Sequence, residues 1–291
     1  MADNIYIGVD LGGTTVTAGV VKNSEIINLK TVPTGSKRPA EEIVDTIFRL
    51  IGDVSGDHII SGIGVGVPNP AGPESDRLFL VENIHALEDF PLRSKLQDHF
   101  GVPVVLENDA NCMALGEHRA GALKGCRHCV CVTLGTGLGC GIIVNGVIYR
   151  GSGYCAGEIW NIPWGNGKTL EEMTGLQGLT ELIHSLMGKQ LAPETMLELY
   201  QRADKSAIKV FNMYGESVGH IMVMLLSTLD PERIAVGGGI SQSFDAFKPG
   251  MNRVVRSIWG RNASGKIVPA VLSGKAAILG AAVCIKEATG G

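Results

Sequence analysis

Carboxylates and amides placed where a strand turns into a helix are the first candidates for chemistry in this chain. In Val104-Val-Leu-Glu-Asn-Asp-Ala-Asn-Cys-Met-Ala-Leu-Gly-Glu117 an apolar, β-branched run over 102–106 reads as a strand, with Pro103 near its start. From Asp109 the period changes. Cys112, Met113 and Leu115 share one side, Glu117 and Arg119 are free to face water, and Gly121 ends the pattern. That is a helix with an acidic first turn. Asn108 and Asp109 therefore stand at the carboxyl end of a strand, where open α/β sheets bind ligands. A side chain there can be an N-cap and nothing more. It can also be a carboxylate that takes a proton from a hydroxyl.

Three glycine-rich loops decide between these readings, because they suit a polyphosphate. In Asp10-Leu-Gly-Gly-Thr-Thr15, Gly12 and Gly13 permit a tight turn whose amides point inward as an anion nest. Thr14 adds a hydroxyl, and Asp10 puts a carboxylate where Mg²⁺ could sit beside a phosphate. Gly135-Thr-Gly-Leu-Gly-Cys-Gly141 and Gly237-Gly-Gly239 follow other apolar runs. Phosphoryl transfer needs mainly positioning, charge stabilisation and one carboxylate to accept the hydroxyl proton. Two other matches fail. Gly167-Lys-Thr169 lacks the first glycine of a P-loop, position 162 being Ile, and the Gly151-Ser-Gly-Tyr-Cys-Ala156 fingerprint is interrupted by Pro163 and Gly165 where it must open a helix.

The chain has 291 residues, enough for two lobes with a sizeable core. Its 40 glycines are about twice the usual share of roughly 7%, and they read as loops after apolar strands. A net charge of −4 supplies no basic field for nucleic acid or anionic membrane. The start lacks a basic leader, and no apolar run is long enough to span a bilayer, so a cytoplasmic protein is expected. Seven cysteines, an odd number, fit reduced thiols. Cys126-Arg-His-Cys-Val-Cys131 reads as buried core rather than a metal site, since Cys129 and Cys131 share a strand face and no second Cys-x-x-Cys exists.

The elements that must position these groups follow in order. Strands are expected over 5–10, 16–21 and 25–32, then a helix from Pro39 with the stripe Ile43, Ile47, Leu50, Ile51 and Val54. A strand over 59–67 runs into Pro68-Asn-Pro-Ala-Gly72, Asn83 lies in the next loop, and a helix covers 91–100. Strand 129–134 and its glycine turn lead into a strand ending near Tyr149, echoing the first unit and suggesting a duplicated fold with a cleft between halves. Helices over 179–187, within 193–229 and over 244–259, strands over 233–236 and 266–272, and a last helix over 276–288 complete the chain.

Asp10-Leu-Gly-Gly-Thr, Leu106-Glu-Asn-Asp-Ala-Asn, Leu134-Gly-Thr-Gly-Leu-Gly, Ala156-Gly-Glu-Ile and Val236-Gly-Gly-Gly, in that order, resemble the ROK family of repressors, open reading frames and sugar kinases. The resemblance implies an actin-like, ribonuclease-H-like α/β fold, duplicated, with ATP and sugar in the cleft between two lobes. The smaller lobe is expected over 1–112 plus 275–291 and the larger over 113–274. It implies Mg²⁺, a hexose acceptor and a homodimer. By position, Asp109 matches the catalytic base, and Asn69, Asn83, Asn108, Asp109, Glu158 and Glu171 match the sugar side. Gly12, Gly13, Thr14, Gly135, Thr136, Gly137, Gly237 and Gly238 match the ATP side, with Asp10 for Mg²⁺. Many members carry Gly-His after the Glu-Ile pair and a cysteine motif binding zinc. Here Trp160-Asn161 follows and the cysteines are absent, so no zinc is expected; Asn161 is expected at the sugar, and Trp160, Pro163 and Trp164 are expected to hold the loop. The function implied is an ATP-dependent hexose kinase acting on the 6-hydroxyl, glucose first. Allose, fructose, N-acetylmannosamine or a glucoside are alternative acceptors, and a non-catalytic sugar sensor is the alternative of another class.

Overall fold

In a computed structural model, residues 4–79 and 83–290 are described; residues 1 and 291, the outer limits of the expected smaller lobe, lie outside them. The first of two five-stranded sheets has the order β3-β2-β1-β4-β5. β1 (Ile5–Leu11), β2 (Thr15–Lys22) and β3 (Glu25–Pro33) form an antiparallel meander, and β4 (Gly62–Val67) and β5 (Val104–Asn108) extend it parallel to β1. The second sheet repeats the scheme. β6 (Cys129–Leu134), β7 (Leu138–Val144) and β8 (Val147–Ile148) are its meander, and β9 (Arg233–Gly237) and β10 (Ile267–Pro269) join β6 in parallel. The duplication expected from the two strand–glycine turn–strand units is therefore present in the sheet topology.

Alternation along the strands explains the layers. Ile7, Val9 and Leu11 of β1 are fully buried against α1 (Ala40–Ser55) and α2 (Leu92–Phe100). The expected stripe of α1 is buried throughout. On the opposite face, Tyr6 and Val105 share a cluster with α3 (Asp109–Ala120), α9 (Lys275–Ala288) and Cys129, Cys131 and Ala235 of the second sheet. Helices α3 and α9 thus lie between the sheets. Val130, Val132 and Leu134 point the other way, into a core with α4 (Leu170–Thr174), α5 (Leu176–Met187), α6 (Pro193–Gln201), α7 (Lys205–Leu229) and α8 (Phe244–Ser264). No described helix is long and apolar enough to cross a membrane.

The glycines are not confined to loops, as composition had suggested. A Cβ on Gly8 would stand 2.0 Å from the Ile278 carbonyl oxygen, and one on Gly64 1.9 Å from that of Ala281. Gly280 is as tight: its Cβ would lie 1.8 Å from the carbonyl oxygen of Cys112 in α3. Missing side chains let α9 lie directly on the first sheet and on the helix that begins with Asp109. Gly280→Ala is expected to push α9 from α3 and destabilise the protein by about 1–3 kcal/mol. A lower urea midpoint at unchanged slope is the measurement that checks it; an unchanged midpoint would mean the contact gives way freely.

Boundaries moved where tertiary pairing overrode pattern. β5 continues through Asn108 because Asn108 pairs with Val67. β4 begins at Gly62, leaving Ile59 91% exposed rather than in a strand. The strand expected to end near Tyr149 is a hairpin, turned at Asn145 (φ 54°) and Gly146 (φ 80°), the Asn-Gly signal for a tight β-turn. Gly260, at φ 75°, interrupts α8 just after the expected end at Trp259. Glu117, expected in water, is fully buried: it accepts the backbone N–H groups of Ala122, Val271 and Leu272. Packing α3 on both sides leaves no solvent face there.

Candidate active site

Strand ends from both sheets converge on a cleft of about 540 Å³. From the first sheet come the turn Gly12–Gly13–Thr14 after β1 and the corner Asn108–Asp109 after β5. The second sheet adds Gly135, Thr136 and Gly137 after β6 and Gly238 after β9. Gly238 has φ 83°, and a Cβ there would meet the Leu134 carbonyl oxygen at 2.3 Å, so only glycine lets these two strand ends meet. Gly237 lines no part of the cleft; it is buried beneath it, against Met113 and Ala270.

At the corner after β5 the two adjacent polar residues divide the work. Asn108 is the cap: its Oδ1 accepts the Asn111 backbone N–H at 3.0 Å. Asp109 accepts the Ala110 N–H at 2.7 Å and otherwise faces the cleft. Burial raises the Asp109 pKa to about 7, with the charge of Asp10 next and that of Glu158 adding to it, against the Ala110 hydrogen bond. Asp10, at the end of β1 and behind the cleft lining, is raised to about 6 by burial. A carboxylate that titrates near neutrality is suited to accept a hydroxyl proton.

The expected sugar-side residues gather in the same cleft, with one exception. Asn69, Asn83, Asn108, Glu158 and Glu171 line it. Asn108 Nδ2 donates to Glu158 Oε1 and to the Asn69 carbonyl oxygen, each at 3.4 Å. Asn69 is only 3% exposed, and its Oδ1 has no partner. Glu171 Oε2 accepts the Leu138 N–H at 2.9 Å and sits over Gly137, so it also braces the second glycine turn. Asn83 stands against Gly13, 2.8 Å from where a Cβ would be, beside the first glycine turn. Asn161 is exposed and outside the lining; the chain turns it away while Trp160 faces in.

The segment between Glu158 and Glu171 is held without any cysteine. Trp164 N–H donates to the Lys168 carbonyl at 2.6 Å, Pro163 bridges Thr169, and Thr169 with Glu172 forms a capping box at the start of α4. Trp160 and Trp164 pack on the second-sheet core, and Trp164 stands edge-on to His220 at 5.2 Å. Pro163 is exposed and takes no part in that cluster. Cys126, Cys129 and Cys131 are buried, and burial pushes the Cys129 thiol up to about 12.

Two residues beneath the site went unnoticed in the sequence. Glu107 is fully buried in β5, where Oε2 accepts Arg150 Nε at 2.6 Å. Its Oε1 accepts the Asn108 backbone N–H at 3.1 Å and Asn111 Nδ2 at 2.9 Å. A charged residue inside an apolar strand was the available signal, because such a charge demands a partner. Which residue answers it, from 43 positions away, was not visible.

Comparison with known proteins gives the family. The model of the ROK family matches residues 6–288. The chain belongs to the ROK family. Over 277 residues it is 33% identical to the glucokinase of Halalkalibacterium halodurans, covering 85% of this chain and 84% of that one. The glucokinase of Streptomyces coelicolor is 32% identical, over 97% of this chain and 98% of its own. A ROK family glucokinase from Streptomyces griseus, solved with glucose and AMPPNP, superposes with a TM-score of 0.81 at 30% identity, covering 96% of this chain and 98% of that one. The fold is the actin-like one of these ROK kinases, built on the two matched sheets.

Proposed function

We propose that this ROK protein is an ATP-dependent kinase that transfers the γ-phosphoryl group to the 6-hydroxyl of a hexose, glucose first. The observation that carries the reading is the Asp109 carboxylate, raised to about 7, in a cleft where glycine turns of both sheets meet. Glucokinases among the similar proteins support glucose, while a beta-glucoside kinase and a protein assigned as an N-acetylmannosamine kinase among them keep a glucoside and N-acetylmannosamine as alternative acceptors, beside allose and fructose. In this reading Asp109 accepts the hydroxyl proton, and the amides of the turns at Gly12 and Gly135 cradle the phosphates. Asn69, Asn108, Glu158 and Glu171 bind hydroxyls, which carboxylates and amides recognise by accepting and donating in pairs. The unpartnered Oδ1 of Asn69 supports this, since a buried acceptor lacking a donor fits an incoming hydroxyl. The two lobes, 1–112 plus 275–291 and 113–274, and a homodimer belong to the same proposal.

Among the described residues no group of three or more His, Cys, Asp and Glu could cage a metal ion. Mg²⁺ at a phosphoryl-transfer site takes one or two carboxylates and otherwise substrate phosphates and water. Asp10 is the carboxylate that would hold it, and the ion would neutralise charge on the transferring phosphoryl group. Asp10→Ala is expected to leave glucose binding near wild type in calorimetry without nucleotide while ATP-dependent turnover collapses. Lost glucose affinity with turnover intact would remove Asp10 from this role. The function itself is tested by coupled ADP release over a panel of hexoses, amino sugars and glucosides. Release that no sugar stimulates would overturn it.

A further inference from the structure

Trp160 is half-buried, lines the cleft and presses its ring on the core of the second sheet. Its indole N–H donates to Glu158 Oε2 at 2.5 Å, and its carbonyl oxygen accepts the Glu171 N–H at 3.1 Å. One residue therefore touches both glutamates of the cleft, the carboxylate of Glu158 through its side chain and the backbone of Glu171 through its main chain. We propose that Trp160 is the positioning residue for Glu158 and the fixed apolar wall of the acceptor site, which disfavours hexoses that carry a group larger than a hydroxyl on the ring face it covers.

The inference rests on the kinase reading above and adds the acceptor class. A pyranose is polar at its rim and apolar on its faces. The rim is matched by Asn69, Asn108, Glu158 and Glu171. A face needs a flat apolar surface, and an indole with a bonded N–H supplies one. The carboxylate also needs the indole. Glu158 is partly buried, and burial and the charge of Glu171 both push its pKa up, while the indole N–H opposes them. Without that donor Glu158 loses a charge-assisted bond and its fixed orientation. The ring has core behind it, and swinging away would leave the indole N–H unpaired, so the wall does not yield easily. A substituent larger than a hydroxyl that projects from that face, such as the axial 2-acetamido group of N-acetylmannosamine, meets it as an obstacle.

Two variants separate the parts. Trp160→Phe keeps a flat wall and removes the donor. Its glucose KM, and its glucose Kd by calorimetry without nucleotide, are expected to rise about 10-fold with kcat within about twofold of wild type. Trp160→Ala removes the wall as well. Its kcat/KM for N-acetylmannosamine relative to glucose is expected to rise at least ~10-fold, a range that added pocket space can supply. Glucose affinity unchanged in Trp160→Phe would overturn the positioning role. A preference unchanged in Trp160→Ala, with kcat and thermal stability falling together, would reduce Trp160 to loop packing. Wild-type protein that binds no hexose and releases no ADP would overturn the kinase reading as well as this inference.

Discussion

Asp109→Asn is expected to lose at least ~10²-fold in kcat, with a smaller change in sugar KM, because the amide keeps the size of the side chain but accepts no proton. The acidic limb of the kcat/KM profile in the wild-type protein is expected near the raised value of about 7, since the base acts only when ionised. The same group leaves a mark on stability with the opposite sense. Its folded-state pKa lies above the ordinary 3.8, so between the two values the folded chain holds a proton that the unfolded chain has released. Stability from this group is complete below the unfolded value and is lost as pH rises through the folded one. In nucleotide-free protein, Asp109→Asn is therefore expected to melt higher than wild type at about pH 8 and to converge with it in acid. A variant keeping more than a tenth of wild-type kcat (roughly 1.4 kcal/mol of barrier) would sink the assignment of Asp109 as base.

Arg150→Met is expected to cost about 3–5 kcal/mol of folding stability, the usual effect of stranding a buried charge. Glu107 is wholly inaccessible and Arg150 is 21% exposed at the side chain, so water can replace little of the lost guanidinium. Catalysis should suffer too, because the other oxygen of Glu107 holds the Asn108 N–H and the Asn111 amide in the first turn of α3. Adding Glu107→Gln to Arg150→Met removes the stranded charge yet keeps an acceptor for both groups. Most of the stability should return, and a double-mutant cycle measures the pair directly. If Arg150→Met alone lies within about 1 kcal/mol of wild type, the pair acts as an exposed one would.

These two sites also mark where the amino-acid order stopped being informative. Asp109, Asn108 and the glycine turns at Gly12, Gly135 and Gly238 were legible, because each depends on a local change of period at the end of an apolar strand. The repeated meander was legible for the same reason, since both copies carry the strand–glycine turn–strand pattern. Only the tertiary structure decided which polar neighbour caps α3 and which faces the cleft. It alone paired Glu107 with Arg150, buried Glu117 under three backbone amides, and assigned Gly8, Gly64 and Gly280 to helix packing rather than turns. It also turned Trp160 inward and Asn161 outward. The physical reason is common to all of them. A local pattern reports how a segment divides apolar from polar, but the burial of a charge, the absence of a side chain or the direction of a loop residue depends on what packs against it from elsewhere in the chain.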